Sequence, residues 1–308
     1  MTIFDTRTWT KLEPPKRQVE IVVDGNPVSV PEDATILDAC RQADVDVPTM
    51  CFGENLTARN ACRACVVEVE GERVLAPSCS RQVDGGMVVS TDSDRVQTSR
   101  KVVLELLASS VDLSLAGMDE WMDRYGADPD RYGPPGGTPG DPTHPGHHTE
   151  PDGTTAAAVA QDPVVDNDLY VRDLEKCILC YQCVDACGVE AQNTFAITVA
   201  GRGFDARIAT EFAVDLGSSA CVFCGNCVGV CPTGALMGSV EFEMRADETW
   251  SESDQTVTRT VCSFCGVGCN LDLHVQDNRV VKVTSPGDHS VTDGHLCIKG
   301  RFGWEHIQ

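Results

Sequence analysis

Two periodicities take turns along this chain. Residues 19–23 and 28–30 alternate apolar with polar positions, the mark of half-buried strands, and Asp24-Gly25-Asn26-Pro27 between them supplies turn chemistry. Thr35 followed by Asp38 is a helix-start signal, after which Ile36, Leu37 and Cys40 share one apolar face. Val66, Val67 and Val69 read as a further strand, with Glu70-Gly71-Glu72 as its turn. Helical spacing then takes over from residue 102 to 115, through Val103, Leu104, Leu106, Leu107 and Val111, and a second short helix is expected over 119–124. Near the end, Leu271, Leu273 and Val275 alternate, Asp277-Asn278 turns the chain, and Val280, Val281 and Val283 follow. This pattern predicts a hairpin. Short strands mixed with short helices make the fold class α+β.

The stretch from 126 to 163 breaks both patterns. Fifteen of its 38 residues are Pro or Gly, a share at which packing fails, so a disordered linker is expected there. His144, His147 and His148 lie in it and read as solvated linker residues. Residues 241–254 are acidic and read as a connector. No apolar run approaches the roughly 18 residues of a membrane helix. Residues 1–10 carry no apolar segment of a secretory signal, so a cytoplasmic location is expected.

Charge narrows the function classes. Asp and Glu number 47 against 24 Lys and Arg, a formal charge of −23. Nucleic-acid binding by phosphate neutralisation needs a basic face and is excluded as an expectation. Only six of the basic residues are Lys. So acidic a surface resembles that of halophilic cytoplasmic proteins, the simpler alternative being an acidic, well-solvated domain. No Ser-His-Asp grouping, phosphate loop or dinucleotide glycine fingerprint is present, and His274, His289, His295 and His306 show no ligand spacing.

Seventeen cysteines change the picture most. The odd number and the missing signal peptide disfavour a disulfide framework and point to metal. Cys40 belongs to a helix face and reads as a buried apolar residue. The other sixteen fall into four sets of four. Cys51, Cys62, Cys65 and Cys79 have the spacing C-x10-C-x2-C-x13-C, akin to the plant-type [2Fe–2S] layout with a longer first gap. Cys177, Cys180, Cys183 and Cys187 repeat as Cys221, Cys224, Cys227 and Cys231, the second run ending in Pro232 where the first has Gly188. Both show C-x2-C-x2-C-x3-C, the bacterial two-cluster run in which the fourth cysteine serves the other cluster. One [4Fe–4S] cluster is therefore expected on Cys177, Cys180, Cys183 and Cys231, and another on Cys221, Cys224, Cys227 and Cys187. Cys262, Cys265, Cys269 and Cys297 follow C-x2-C-x3-C-x27-C, with the hairpin folding the chain back to deliver Cys297. Structural zinc is the competing reading for a C-x2-C pair, though triple and quadruple runs favour soft thiolate ligation of iron.

Taken in order, "DACRQADVDVPTMC" with "ACRACVVEVEGERVLAPSC", "CILCYQCVDAC" with "CVFCGNCVGVCPTGAL", and "TVCSFCGVGCNLDLHV" ending in "GHLCIKGRFGW" resemble the N-terminal part of formate dehydrogenase alpha subunits of the molybdopterin oxidoreductase family. They are also similar to the large iron–sulfur subunit of complex I and to the front of iron-only hydrogenases. The resemblance implies a β-grasp [2Fe–2S] ferredoxin-like domain over 17–97, a helical segment over 98–125, the linker over 126–163, a two-[4Fe–4S] bacterial ferredoxin-like domain over 164–245, and a small β-rich [4Fe–4S] domain over 255–308. It implies one [2Fe–2S] and three [4Fe–4S] clusters, with the sixteen cysteines as iron ligands. Lys299 matches the family lysine between the last cluster and the pterin, and its implied role is electron transfer rather than acid–base chemistry. Complex I subunits carry a further cluster on one His and three Cys where this chain has "LLASSVDLSLAGMDEWMDRYG", without either residue type. Family members continue for several hundred residues that hold the molybdenum or tungsten bis-pterin cofactor. The implied partners are thus a pterin-bearing polypeptide or further C-terminal portion, and an electron-acceptor protein or NAD-reducing subunit. The expected function is an electron relay between pterin site and acceptor, with an electron-input subunit of a complex I-like enzyme or hydrogenase as the alternative.

Overall fold

The structure is a computed structural model that describes residues 4–5, 10–11, 16–129, 131, 162–202, 206–288 and 291–304. The expected linker falls almost wholly outside the described residues, as do His144, His147, His148, His289 and His306. Its chain forms two compact units, one of residues 1–49 and 63–100, the other of 50–62 and 101–308.

In the first unit, β1 (Gln18–Val23) and β2 (Asn26–Pro31) pair antiparallel from Gln18↔Pro31 to Val23↔Asn26. Their connection is tighter than the four-residue turn expected. Asp24 and Gly25, at φ 49° and 83°, suffice, because a two-residue turn with both φ positive matches the strand twist. Next comes α1 (Ile36–Gln42), opened by the capping box read from sequence: Thr35 Oγ1 accepts from the Asp38 amide at 3.2 Å, and the Thr35 amide donates to Asp38 at 2.8 Å. Strands β3 (Val66–Val69), β4 (Ala76–Pro77) and β5 (Val88–Ser90) complete a sheet of order β2-β1-β5-β3-β4. The β1–β5 contact is parallel and the others antiparallel. One sheet face and α1 bury Ile21, Val23, Val30, Ile36, Leu37, Val67 and Val89, all 1 % exposed or less, each contributing roughly 1.5–3 kcal/mol. Cys40 is fully buried among them, and burial pushes its thiol up to about 12.

Helix α2 (Asp94–Ser110) begins eight residues before and ends five before the helix read from periodicity. Its first turns carry Arg95, Arg100 and Lys101, which hide an apolar face. Arg100 is nevertheless 1 % exposed and donates to the Val66 carbonyl at 2.9 Å, so a buried cation occupies a core position. At the other end the Ser109 and Ser110 hydroxyls bond back to the Leu106 carbonyl, a local competition that ends helices. Helix α3 (Asp119–Tyr125) is closed by Gly126 at φ 58°.

Within the second unit, β6 (Tyr170–Arg172), α4 (Gln182–Cys187), β7 (Thr198–Ala200), β8 (Arg207–Ala209), α5 (Asn226–Gly229) and β9 (Leu236–Gly238) form two short antiparallel ladders, β6–β9 and β7–β8, around two short helices. Tyr170, Leu174, Ile197, Ile208, Leu216 and Leu236 make the shared core. Of the 241–254 stretch read as an acidic connector, residues 241–246 belong instead to α6 (Ser239–Ala246). Its Glu241 is 6 % exposed and pairs with Arg245 at 2.9 Å and Lys282 at 2.7 Å. Lys282 lies 41 positions downstream, so only the folded chain reveals that this carboxylate is neutralised. The final module is a meander of β10 (Thr256–Val261), β11 (Asn270–Gln276) and β12 (Arg279–Thr284), followed by α7 (Ile298–Phe302). The predicted hairpin is β11–β12, turned by Asp277 and Asn278 at φ 52° and 60°. Strand β10 was not foreseen, and every one of its six residues is exposed.

Candidate metal centres

The two ferredoxin-type runs adopt the same local backbone. Leu179 and Tyr181 flank Cys180 at φ 52° and 70°, and Phe223 and Gly225 flank Cys224 at φ 53° and 70°. Bulky side chains in this region are strained. The gain is directional: an alternation of right- and left-handed residues turns successive N–H groups to the inside of the loop, a concavity suited to anionic sulfur. The Phe223 amide accordingly donates to Cys221 Sγ at 3.4 Å. The amides of Leu179, Gln182 and Asn226 do the same for Cys177, Cys180 and Cys224. Cys187 Sγ accepts from the Ala196 amide at 3.2 Å, and the Tyr170 hydroxyl lies 3.2 Å from Cys221 Sγ.

Electrostatic influence crosses between the runs. Burial pushes Cys177 up to about 11 and Cys180 to about 12, and both are raised further by Cys231. Burial also raises Cys183, with Cys227, Cys177, Cys231 and Cys180 acting in the same sense. In the other group, burial raises Cys224 and Cys227, and each is raised further by Cys187 and Cys221. The fourth cysteine of each run thus acts electrostatically on thiols of the other. Cys227, from the other run, acts on Cys183 in the same sense.

Around the last set, the Cys262 amide donates to the Cys269 carbonyl at 2.8 Å. The Cys269 thiol is raised by burial and then by Cys262, Cys265 and Cys297, so all four expected residues are neighbours. Cys262 is buried, whereas Cys265 and Cys297 are exposed. Exposed Val261, Phe264, Val267 and Ile298 surround them in sequence. Lys299 is exposed on α7, two residues after Cys297.

The first set divides between the two units. Cys51 and Cys62 lie in the 50–62 segment of the second unit, where the Cys62 amide donates to Cys51 Sγ at 3.3 Å. Cys65 and Cys79 lie in the first, both 2 % exposed, on loops joined by the Ser78 amide to the Cys65 carbonyl at 3.2 Å.

Among the described residues, no three His, Cys, Asp or Glu side chains are already closed onto one metal-binding point. The fit to iron rests instead on the donor chemistry: grouped thiols, several of them buried and facing inward N–H groups, would become thiolates only beside cations, and iron–sulfur clusters supply them.

Anchors link the sets within the second unit. Gln182 Nε2 donates to the Met50 carbonyl, just before Cys51, at 2.9 Å. Forty-four residues later, Asn226 Oδ1 accepts from the Leu296 amide, just before Cys297, at 2.9 Å. Equivalent positions of the internal repeat therefore hold the flanking cysteines, Cys51 beside the Cys177 run and Cys297 beside the Cys221 run. The sequence reading missed Gln182, Asn226, Tyr170 and Arg301, because none has ligand spacing. The only sequence signal was that the second copy has Gly225 and Gly229 where the first has Tyr181 and Asp185.

Three family matches divide the chain: a 2Fe-2S iron-sulfur cluster binding domain over residues 16–94, a 4Fe-4S dicluster domain over 169–235 and a molybdopterin oxidoreductase Fe4S4 domain over 255–308. An NADH-quinone oxidoreductase polypeptide of Rhizobium meliloti is 31% identical over 94% of this chain and 32% of its own length. An NADP-reducing hydrogenase polypeptide, HndD, of Solidesulfovibrio fructosivorans is 34% identical over 93% of this chain and 46% of its own. A formate dehydrogenase-like protein of Staphylococcus haemolyticus is 26% identical over 93% and 31%. The chain thus spans about a third to a half of these relatives. Among solved structures, an NAD+-reducing [NiFe]-hydrogenase in the H2-reduced state shares the fold with a TM-score of 0.57 at 21% identity, over 72% of this chain and 87% of that one. The chain thus carries, in succession, a 2Fe-2S domain, a 4Fe-4S dicluster domain and a molybdopterin oxidoreductase Fe4S4 domain, and it is similar over nearly its whole length to part of larger iron–sulfur electron-transfer polypeptides.

Proposed function

We propose that this chain is the electron-relay portion of a formate dehydrogenase-type molybdenum or tungsten oxidoreductase. Cys51, Cys62, Cys65 and Cys79 would hold a [2Fe–2S] cluster. Three [4Fe–4S] clusters would be held by Cys177, Cys180, Cys183 and Cys231, by Cys221, Cys224, Cys227 and Cys187, and by Cys262, Cys265, Cys269 and Cys297. Each group, when bound, supplies a one-electron carrier. The chain's own part is to fix their order and surroundings. The observation that carries this reading is the pair of anchors at Gln182 and Asn226, which seat Cys51 and Cys297 at opposite copies of the repeat.

The exposed thiols of Cys265 and Cys297, with exposed Phe264, Val267, Ile298 and Lys299 near them, support a pterin-bearing polypeptide or further portion covering this end. An acceptor protein or NAD-reducing subunit would complete the relay. The second reading, an electron-input subunit of a complex I-like enzyme or hydrogenase, is favoured by the higher identity to those relatives, 31% and 34% against 26%. Molybdenum or tungsten in the complex purified with its partners supports the first reading, and its absence beside a flavin or nickel–iron subunit supports the second. Anaerobic reconstitution tests both at their root. About fourteen iron atoms per chain with acid-labile sulfide are expected, whereas a folded, colourless, zinc-bearing protein would end the relay reading.

We also assign the chain to a salt-rich cytoplasm. No helix among the described residues is long and apolar enough to cross a membrane. A charge of −23 repels itself across the surface, and raising salt from about 0.1 to 1 M shortens the screening length from ~10 to ~3 Å. The melting temperature of the cluster-loaded chain is expected to rise by at least several degrees over that range of KCl. A flat or falling profile in differential scanning fluorimetry would leave the acidity as solubility alone.

A further inference from the structure

Arg301 is the last turn's contribution from α7, and it is buried to 4 % exposure. Its Nε donates to the Cys224 carbonyl at 3.2 Å and its Nη2 to Asn226 Oδ1 at 3.3 Å. Among the described residues no carboxylate pairs with it. A guanidinium buried away from water needs a counter-charge. The pocket around it is built by two glycines. A Cβ at Gly225 would stand 2.4 Å from Arg301 Cδ, and one at Gly229 would stand 2.9 Å from Nη2.

The first copy of the repeat solves the same position differently. Asp185 occupies the place of Gly229. It is 5 % exposed and takes a two-pronged contact from Arg59, with Nε to Oδ2 at 2.7 Å. Lys176, next to Cys177, is likewise engaged by Asp112 and Asp173. Cations near the first group are therefore cancelled by carboxylates, while the cation on the second group is not.

We propose that Arg301 is the fixed counter-charge of the cluster held by Cys221, Cys224, Cys227 and Cys187, and that it makes this the easier of the two ferredoxin-type clusters to reduce. This rests on the reading that both groups hold [4Fe–4S] clusters. The physical reason is that one-electron reduction adds a negative charge to an already anionic thiolate cluster, and a buried positive charge beside it stabilises the reduced form. Two halves with identical ligand spacing thus become unequal, and an electron rests on the half next to Cys297.

The test is a potentiometric titration of the full, anaerobically reconstituted chain, with dithionite as reductant and paramagnetic resonance as readout. Arg301→Gln is expected to lower the midpoint of one [4Fe–4S] cluster by at least a tenfold change in its reduction equilibrium, 59 mV for one electron. Arg301→Lys, which keeps the charge, should stay above the Gln variant. Unchanged midpoints at full iron content in Arg301→Gln overturn the inference. If that variant fails to assemble, the wild-type order decides. The first ferredoxin-type signal to appear should be altered by Cys224→Ser, and its alteration by Cys180→Ser instead overturns the inference. A wild-type chain without four-iron clusters refutes the function itself, an outcome separate from all of these.

Discussion

Replacing Cys231 with Ala is expected to abolish the four-iron signature proposed for the Cys177 group and to spare that of the Cys221 group, in whose run Cys231 lies. Cys187→Ala does the reverse. The expectation comes from which cysteine acts on which: Cys231 raises Cys177, Cys180 and Cys183, and Cys187 raises Cys224 and Cys227. Backbone geometry gives the reason. Within each run the first two cysteines lie on a loop folded around its own inward N–H groups, and the third sits in the first turn of the helix that follows, Cys183 in α4 and Cys227 in α5. The fourth ends its helix, as Cys187 does in α4, or follows it, as Cys231 does after α5. The ladder β6–β9 returns the chain from Cys231 to the start of the first run, where Thr233 Oγ1 donates to the Lys176 carbonyl beside Cys177. Cys187 is fixed from its other side by the Ala196 amide. About four irons should be at stake in each variant. Iron and sulfide analysis with resonance spectra of the two reduced variants checks it, and loss of each run's own cluster would contradict the crossed arrangement.

Anaerobic removal of iron by a chelator releases the Cys177–Cys231 region and leaves the β1–β2 hairpin and α1 protected. The ferredoxin-type region has little else to hold it. Its two ladders are three residues long on every strand, below what stands alone in water. Leu179, Tyr181 and Phe223 are held at positive φ, each costing on the order of 1–2 kcal/mol. The core itself includes Cys183 and packs against Cys177, Cys187, Cys221, Cys227 and Cys231, so withdrawing iron leaves thiols facing one another. Metal binding is then largely folding free energy. The β1–β2 hairpin and α1 instead rest on Ile21, Val23, Val30, Ile36 and Leu37. Hydrogen exchange read by mass spectrometry on the loaded and stripped chain separates the outcomes. Protection should fall over 170–238 and persist over 18–42, and a uniform loss, or none, would contradict it.

Much of this was legible before folding. The β1–β2 hairpin, the Thr35–Asp38 box and the β11–β12 hairpin were read from local patterns, because each is decided by residues a few positions apart. What resisted was long-range. Helix α2 was placed late, since its buried face includes Arg100, satisfied by a carbonyl on β3. Helix α6 was taken for a connector, since Glu241 looks solvated until Lys282 meets it. Strand β10 was missed because all of it is exposed and nothing but its pairing to β11 marks it as a strand.

Sequence alone determined the number, spacing and chemical softness of the sulfur donors, because spacing is a local property of short loops. Tertiary structure decided how the two equal runs differ. Gln182 reaches Met50, Asn226 reaches Leu296, Asp185 cancels Arg59, and Gly229 leaves room for Arg301. Those contacts join residues 70 to 132 positions apart, and charge compensation in a low-dielectric interior depends on distance through space, which spacing along the chain does not encode.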